Sequence, residues 1–366
     1  MNVYMLSDRR SGLLLARLIP LVKQLQIYES DMKINMLLTG SPKVGGICGR
    51  FLEALPYIDI KEVYKFFKNR DIDVLMISNL SSMPTWLITK LFKVLNNRNV
   101  KIILDLSDPI FLSRINIMNL FSIRTPAFSH LEITIRDSNY VTTSSHFTLS
   151  YVKIFNDRAE VIHDPIDVEK INPWNKKLSD KLVIGWEGAP QNHHPNLSML
   201  RRPLMRLAKE YDFKFKIASW AGDEIVKQMF KKLEDLIEVD DGSDNFLLFS
   251  EHVELCRDFD ILVAPLQHTS WYEGKSALRV GIGMAMGIPI VASPVGEQKY
   301  VVKHGVNGFI ARNEEEWYNY LRILIEDDNL RRRMGREGRK IAEKELSIEV
   351  NGRKLYDIIS SLVESN

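Results

Sequence analysis

Short apolar runs alternate with stretches of helical spacing along the whole chain. In the first half, Val3–Ser7, Ile34–Leu38, Asp73–Ile77, Ile102–Leu106, Tyr140–Thr143 and Val161–His163 have strand length and end in turn signals. Between them, Ser11–Ile27 places Leu14, Leu18, Leu21, Val22 and Leu25 on one helical face. Helical spacing also fills Gly49–Ala54, Val63–Lys68, Pro84–Leu95 and Phe147–Phe155. Strands that alternate with helices in this way predict a doubly wound, parallel α/β domain.

Residues Ile166–Leu178 break the alternation with Pro173 and several polar positions, and their second half is the expected linker. The pattern then resumes. Leu182–Trp186, Phe213–Ser219, Leu236–Val239, Ile261–Pro265, Ile288–Ala292 and Gly308–Ala311 read as strands. Helices are expected from about Leu197, with Asn196 as N-cap, and over Phe249–Arg257, Ser276–Met286, Glu297–His304, Trp317–Ile325, Asn329–Glu345 and Ile348–Leu362. The chain therefore divides into a first α/β domain over 1–168, a second over 179–347 and a terminal helical segment over 348–366.

Composition changes this picture little. At 366 residues the chain is long for one core, and an apolar fraction of 45% with 26% charged residues is ordinary for a globular protein. A net charge of +2 excludes a polybasic nucleic-acid binder. The two cysteines, Cys48 and Cys256, make neither a disulfide framework nor a metal site, and a reducing, cytoplasmic setting is expected. Met1 leads directly into a strand-like run, so no signal peptide is expected. No apolar run reaches the roughly 20 residues needed to span a bilayer.

Candidate chemistry concentrates between Asp258 and Ala311. Gly274-Lys275-Ser276 follows a strand and opens a helix, and in open parallel sheets ligands bind beyond the carboxyl ends of the strands. A helix start attracts anions. Lys275 there opposes the helix dipole, and Arg279 lies four residues on, with Glu273 the one acid nearby. Two cations so placed favour a diphosphate. Gly188, in Glu187-Gly188-Ala189 after the first strand of the second domain, allows close backbone approach. Gly296-Glu297 follows another strand; Glu297 suits either hydroxyl contacts or a helix N-terminus. The pair His193-His194 has no acid or cysteine partner at metal spacing, so no metal is expected.

Lys275 to Phe309, GKSALRVGIGMAMGIPIVASPVGEQKYVVKHGVNGF with its leading Gly274, resembles the donor-binding region of the GT-B glycosyltransferases of family 4 (group 1). The likeness extends through Glu316-Trp317 and Met334–Arg339, covers about half the chain well, and is specific as a combination. It implies a GT-B fold, with two doubly wound Rossmann-like domains facing across a cleft and the last helix crossing back to the first domain. It also implies a retaining transfer from a nucleotide-diphosphate sugar to a glycan or lipid-linked acceptor, of the kind found in bacterial surface polysaccharide synthesis, without a metal or other cofactor.

On that resemblance Lys275 and Arg279 serve the leaving diphosphate, and Gly188, Ala189, Glu273, Gly274, Ser276, Ala277, Leu278, Gly296 and Glu297 complete the donor site. In the first domain, Asp105-Leu106-Ser107-Asp108 resembles an acidic stretch of relatives, and Asp105 and Asp108 are expected to bind acceptor hydroxyls. Arg10, Gly12, His130 and His146 are the other acceptor-side candidates. One position departs from the family: the acid that precedes its MAxG segment is Ile282 here, between Gly281 and Gly283. Ile282 is expected to be buried against the sheet. Its presence keeps open a second reading, a non-catalytic module that binds a sugar nucleotide. Pro109–Phe128 is apolar and basic with no acid. It reads either as a core helix and loop or as a segment lying in the headgroup region of an anionic membrane.

Overall fold

The aliphatic runs of the first half become one parallel sheet. The computed structural model of the protein describes residues 1–8, 17–39, 72–78, 100–112, 127–173, 179–218, 223–239 and 253–365. The helices expected at 49–54, 63–68 and 84–95, the first part of that at 11–27, residues 113–126 of the apolar-basic segment, and Arg10 and Gly12 lie outside them. The chain divides into two units, Met1–Ile162 with Asn351–Asn366, and His163–Val350.

In the first unit the strands β1 (Asn2–Asp8), β2 (Lys33–Thr39), β3 (Val74–Ser78), β4 (Lys101–Leu106), β5 (Tyr140–Thr143) and β6 (Ala159–Val161) form a six-stranded sheet. Its order is β2-β1-β3-β4-β5-β6, with every pair parallel. Every residue of β3 and β4 is buried, as expected of central strands covered on both faces. One face carries Leu21 and Leu25 of the helix Ile19–Tyr28 together with Leu355, Ile358, Ile359 and Leu362 of the last helix, Ile348–Glu364. That last helix starts in the second unit and belongs to the first from Asn351 on. The other face carries Leu131 and Ile135 from the helix Ala127–Asp137, with Phe111 and Val152.

The second unit repeats the plan with β7 (Leu182–Glu187), β8 (Phe213–Ala218), β9 (Ile237–Val239), β10 (Ile261–Ala264), β11 (Ile290–Ala292) and β12 (Gly308–Ile310). The order is β12-β11-β10-β7-β8-β9, again all parallel. The order reverses direction between β7 and β10, so the crevice beyond their carboxyl ends is the ligand position of such a sheet.

Several boundaries move for identifiable reasons. The helix expected at 317–325 begins at Glu314, because Asn313 caps it, its Oδ1 accepting from Glu316 N at 2.9 Å, and three glutamates fill the first turn. The helix expected from Leu197 is two pieces, His194–Ser198 and Arg201–Leu207, with Pro203 in the first turn of the second. Ala127–Asp137 is a helix that the pattern does not predict. Its β-branched run Ile133-Thr134-Ile135 hides the spacing of the buried Leu131, Thr134 and Ile135. Val168 and Ile171, just before the expected linker, pack within the second unit, where Arg339 donates to their carbonyls at 2.8 and 2.9 Å; residues 174–178 of that linker lie outside the described residues.

Candidate functional site

Glu187 ends β7, and Gly188 turns the chain with φ +141°, a conformation that favours glycine. A side chain at Gly188 would also collide with Arg279, whose Nη2 lies 2.3 Å from where a Cβ would sit. Arg279 therefore lies against the turn. Its guanidinium stands 4.9 Å over the Trp186 ring, and its Nε is 3.6 Å from Glu187 Oε2, beyond hydrogen-bond length. That Nε is buried and makes no hydrogen bond with a described residue.

Lys275 enters from the connection between two helices, Ser270–Glu273 and Leu278–Ala285. The second starts later than the sequence predicts, so Lys275 precedes the helix rather than occupying its first turn. Arg279 is inside that turn. The N-cap Ala277 offers no side-chain cap, which leaves the helix start open to an anion. Lys275 Nζ stands 5.0 Å from the centroid of Trp271.

The turn at Gly296 closes the third side. Its φ is +69°, and a Cβ there would stand 2.7 Å from Tyr272 O, so only glycine fits. Glu297 N donates to Lys275 O at 2.9 Å, and Gly296 N to Glu273 Oε2 at 3.4 Å. The two acids expected to meet the donor are turned inward. Glu273 is buried, 2.6 Å from Lys299 Nζ and 3.2 Å from His268 Nε2. Glu297 is fully buried, 2.9 Å from His163 Nε2. Both hold the backbone that presents Lys275. Gly274 is the buried C-cap of the helix Ser270–Glu273; Ser276 and Leu278 are half-buried, Ala277 is buried, and Ala189 is exposed. Ile282 is 3% exposed and packs in the apolar core, as expected.

His193 and His194 are adjacent in the sequence, but the structure separates their tasks. His194 Nε2 meets Asp223 Oδ2 at 2.5 Å, while His193 Nδ1 meets Asn196 Nδ2 at 2.8 Å. Burial first, then the charges of Arg279 and Lys275, push the His193 pKa down to about 3. His193 thus lies beside Arg279 and Lys275, whereas the sequence offered it only as half of a His193-His194 metal pair and set it aside. Among the described residues no group of three or more His, Cys, Asp or Glu is placed to hold a metal ion.

In the first unit, Asp105 is not available to an acceptor. It is fully buried, and Arg17 Nη2 meets its Oδ1 at 2.7 Å. Thr142 Oγ1 donates to Oδ1 at 2.7 Å and Ser78 Oγ to Oδ2 at 3.0 Å. Asp108 is half-buried on the turn after β4, His146 is exposed at the start of the helix His146–Val152, and His130 falls in the helix Ala127–Asp137. The described start of the apolar-basic segment belongs to the core: Phe111 is buried and stacks on Tyr151 at 4.0 Å. No helix among the described residues is long and apolar enough to cross a membrane.

A cavity of about 580 Å³ lies at the opposite, amino-terminal edge of the second sheet, near Phe259, Pro289, Gly335 and Arg336. Its arginines are largely committed. Arg339 donates to three backbone carbonyls and Arg331 to those of Leu324 and Ile325. The switch point between β7 and β10 remains the place where cations converge.

Comparison with known proteins gives a family match over the segment that contains these residues. Residues 182–327 match the family model described as glycosyl transferases group 1. An uncharacterized glycosyltransferase of Methanocaldococcus jannaschii is 30% identical over 166 residues, 43% of this chain and 44% of that protein. The match thus spans under half the length of that relative. Among solved structures, a glycosyltransferase from Rickettsia africae ESF-5 is 14% identical with a TM-score of 0.72, over 100% of this chain and 99% of that one. HepE of Anabaena in complex with UDP is 15% identical with a TM-score of 0.68, over 99% and 100%. The sucrose-phosphate synthase of Thermosynechococcus elongatus is 12% identical with a TM-score of 0.71, over 100% of both chains. At these identities the whole-chain likeness shows the fold, which is GT-B.

Proposed function

We propose, from a chain whose residues 182–327 match the group 1 glycosyltransferase family model, a glycosyltransferase that moves a sugar from a nucleotide-diphosphate donor to a glycan or lipid-linked acceptor. The observation that carries this reading is the convergence of Lys275, Arg279 and the Gly188 turn at the β7/β10 switch point, inside the matched segment. The diphosphate leaves with developing negative charge. Lys275, Arg279 and the uncapped helix start at Leu278 stabilise that charge, the kind of electrostatic contribution that usually dominates. Crystal structures of HepE hold UDP and UDP-glucose, which makes uridine donors the first to try. Retention of the anomeric configuration, and a place in surface polysaccharide synthesis, belong to the same proposal through the family resemblance.

Isothermal titration with UDP, GDP and dTDP, followed by release of nucleotide from the matching sugar donors, tests it. Saturable binding of one nucleotide and its release in the presence of an acceptor support the reading; no binding to any of the three overturns it. Ile282 favours one alternative. With an isoleucine buried where the family carries an acid, the site holds the nucleotide without turning it over. Binding without release under any acceptor selects that alternative.

A further inference from the structure

His193 sits beside two cations yet carries no charge, and its hydrogen bonds state which nitrogen bears the proton. Asn196 is fully buried, and the backbone N–H of Gln267 donates to its Oδ1 at 2.8 Å. A backbone N–H is always a donor, so the atom it meets is the amide oxygen. The other amide atom, Nδ2, is then the donor that faces His193 Nδ1 at 2.8 Å. A donor facing Nδ1 makes Nδ1 the acceptor. In a neutral imidazole the proton then resides on Nε2.

The ring is also held in place. Its centroid lies 5.6 Å from the Trp186 ring and 5.9 Å from Tyr272, whose hydroxyl donates to Asn192 O at 3.1 Å. The ring's hydrogen bond to a described residue is made through Nδ1. Arg279 packs on the same Trp186, and Arg279 and Lys275 both act on the imidazole, opposing its protonation. A third cation there would add repulsion to an already crowded pair. A neutral N–H adds a donor without that cost.

We infer that His193 is a further ligand-binding residue: a neutral donor, its proton fixed on Nε2 by Asn196, that hydrogen-bonds the diphosphate held by Lys275 and Arg279. This rests on the reading of the switch point as a diphosphate site, and deepens it. Asn196 is the positioning residue, and its amide sets the tautomer. His194, bound to Asp223, has no part in it.

The test combines UDP titration with nitrogen-15 NMR of the histidine rings in the wild-type protein. The spectra are expected to show His193 neutral at pH 6 with the proton on Nε2, and UDP is expected to shift that Nε2 resonance. His193→Phe, which keeps a ring in the pocket, is expected to weaken UDP binding by about 10- to 100-fold, the range for a hydrogen bond to a charged group. His193→Gln, which restores an N–H donor, is expected to recover part of the loss. Asn196→Asp is expected to draw the proton to Nδ1 and weaken UDP binding as His193→Phe does. A proton found on Nδ1 in the wild type overturns the inference, even if no variant folds. So does a folded His193→Phe protein that binds UDP within about twofold of wild type while Lys275→Ala has lost binding. If Lys275→Ala and Arg279→Ala both bind UDP as wild type does, the diphosphate reading itself fails.

Discussion

Asp105, one residue from the end of β4, and Glu187, the last residue of β7, are both buried carboxylates facing an arginine. They differ in how completely that arginine is answered. Arg17 meets Asp105 at 2.7 Å, its Nη1 donates to Ile162 O at 2.8 Å, and Ser78 and Thr142 occupy the carboxylate oxygens. Arg279 stands 3.6 Å from Glu187, leaves its Nε without a hydrogen bond among the described residues, and shares the site with Lys275. A closed network satisfies its own charges and serves as scaffold. An open one leaves positive charge for something else to answer. A motif alone cannot separate the two, because an acid near a strand end looks the same in both.

The comparison breaks most sharply at Asp105. Asp105→Ala leaves Arg17 buried and unpaired, and is expected to cost about 3–5 kcal/mol in denaturant unfolding. If the fold survives unchanged, the first network is not scaffold. Next comes Ile282→Glu, which places an unpaired carboxylate in the core and is expected to cost at least about 2 kcal/mol. A rise in sugar transfer from that variant would instead show that the position faces the donor. Lys275→Ala and Arg279→Ala sharpen the other side. Each is expected to weaken UDP binding by about 1.5–3 kcal/mol while the melting temperature of the free protein hardly moves. A fall in stability with affinity intact would make these cations structural as well.

The last test is in pH. The pKa of His193 in the fold is about 3, against 6.5 for the ordinary side chain, so below pH 6.5 the unfolded chain binds a proton that the folded chain refuses. Stability from this residue is therefore intact above pH 6.5 and falls as the pH drops towards 3, by at most about 1.4 kcal/mol per pH unit. Unfolding of wild type and His193→Gln at pH 7, 6 and 5 measures it. The wild-type curve is expected to fall more steeply, and equal slopes would mean that His193 titrates normally.

Both sheets were legible in the sequence because central parallel strands are apolar throughout, and β3, β4 and β10 are buried at every residue. Lys275 and Arg279 stood out in the sequence because they cluster beyond a strand with Glu273 the one acid nearby. The direction of the acids was not. Glu273, Glu297 and Asp105 read as ligand-facing by their positions, yet each meets a partner distant in sequence: Lys299, His163 and Arg17. Such pairings depend on tertiary packing, which no local spacing encodes. The role of His193 was hidden for the same reason, since it needs Gln267 to orient Asn196 across 71 positions.

The last helix has a consequence for synthesis. Leu355, Ile358, Ile359 and Leu362 complete the face of the first sheet that begins with Val3 and Leu21. During translation the first unit emerges early but keeps that face incompletely covered until the helix Ile348–Glu364 is free to pack. The second unit, contiguous from His163 to Val350, can finish before it. A released chain truncated before Leu355 should therefore show a protease-resistant second unit beside a first unit that is still cut.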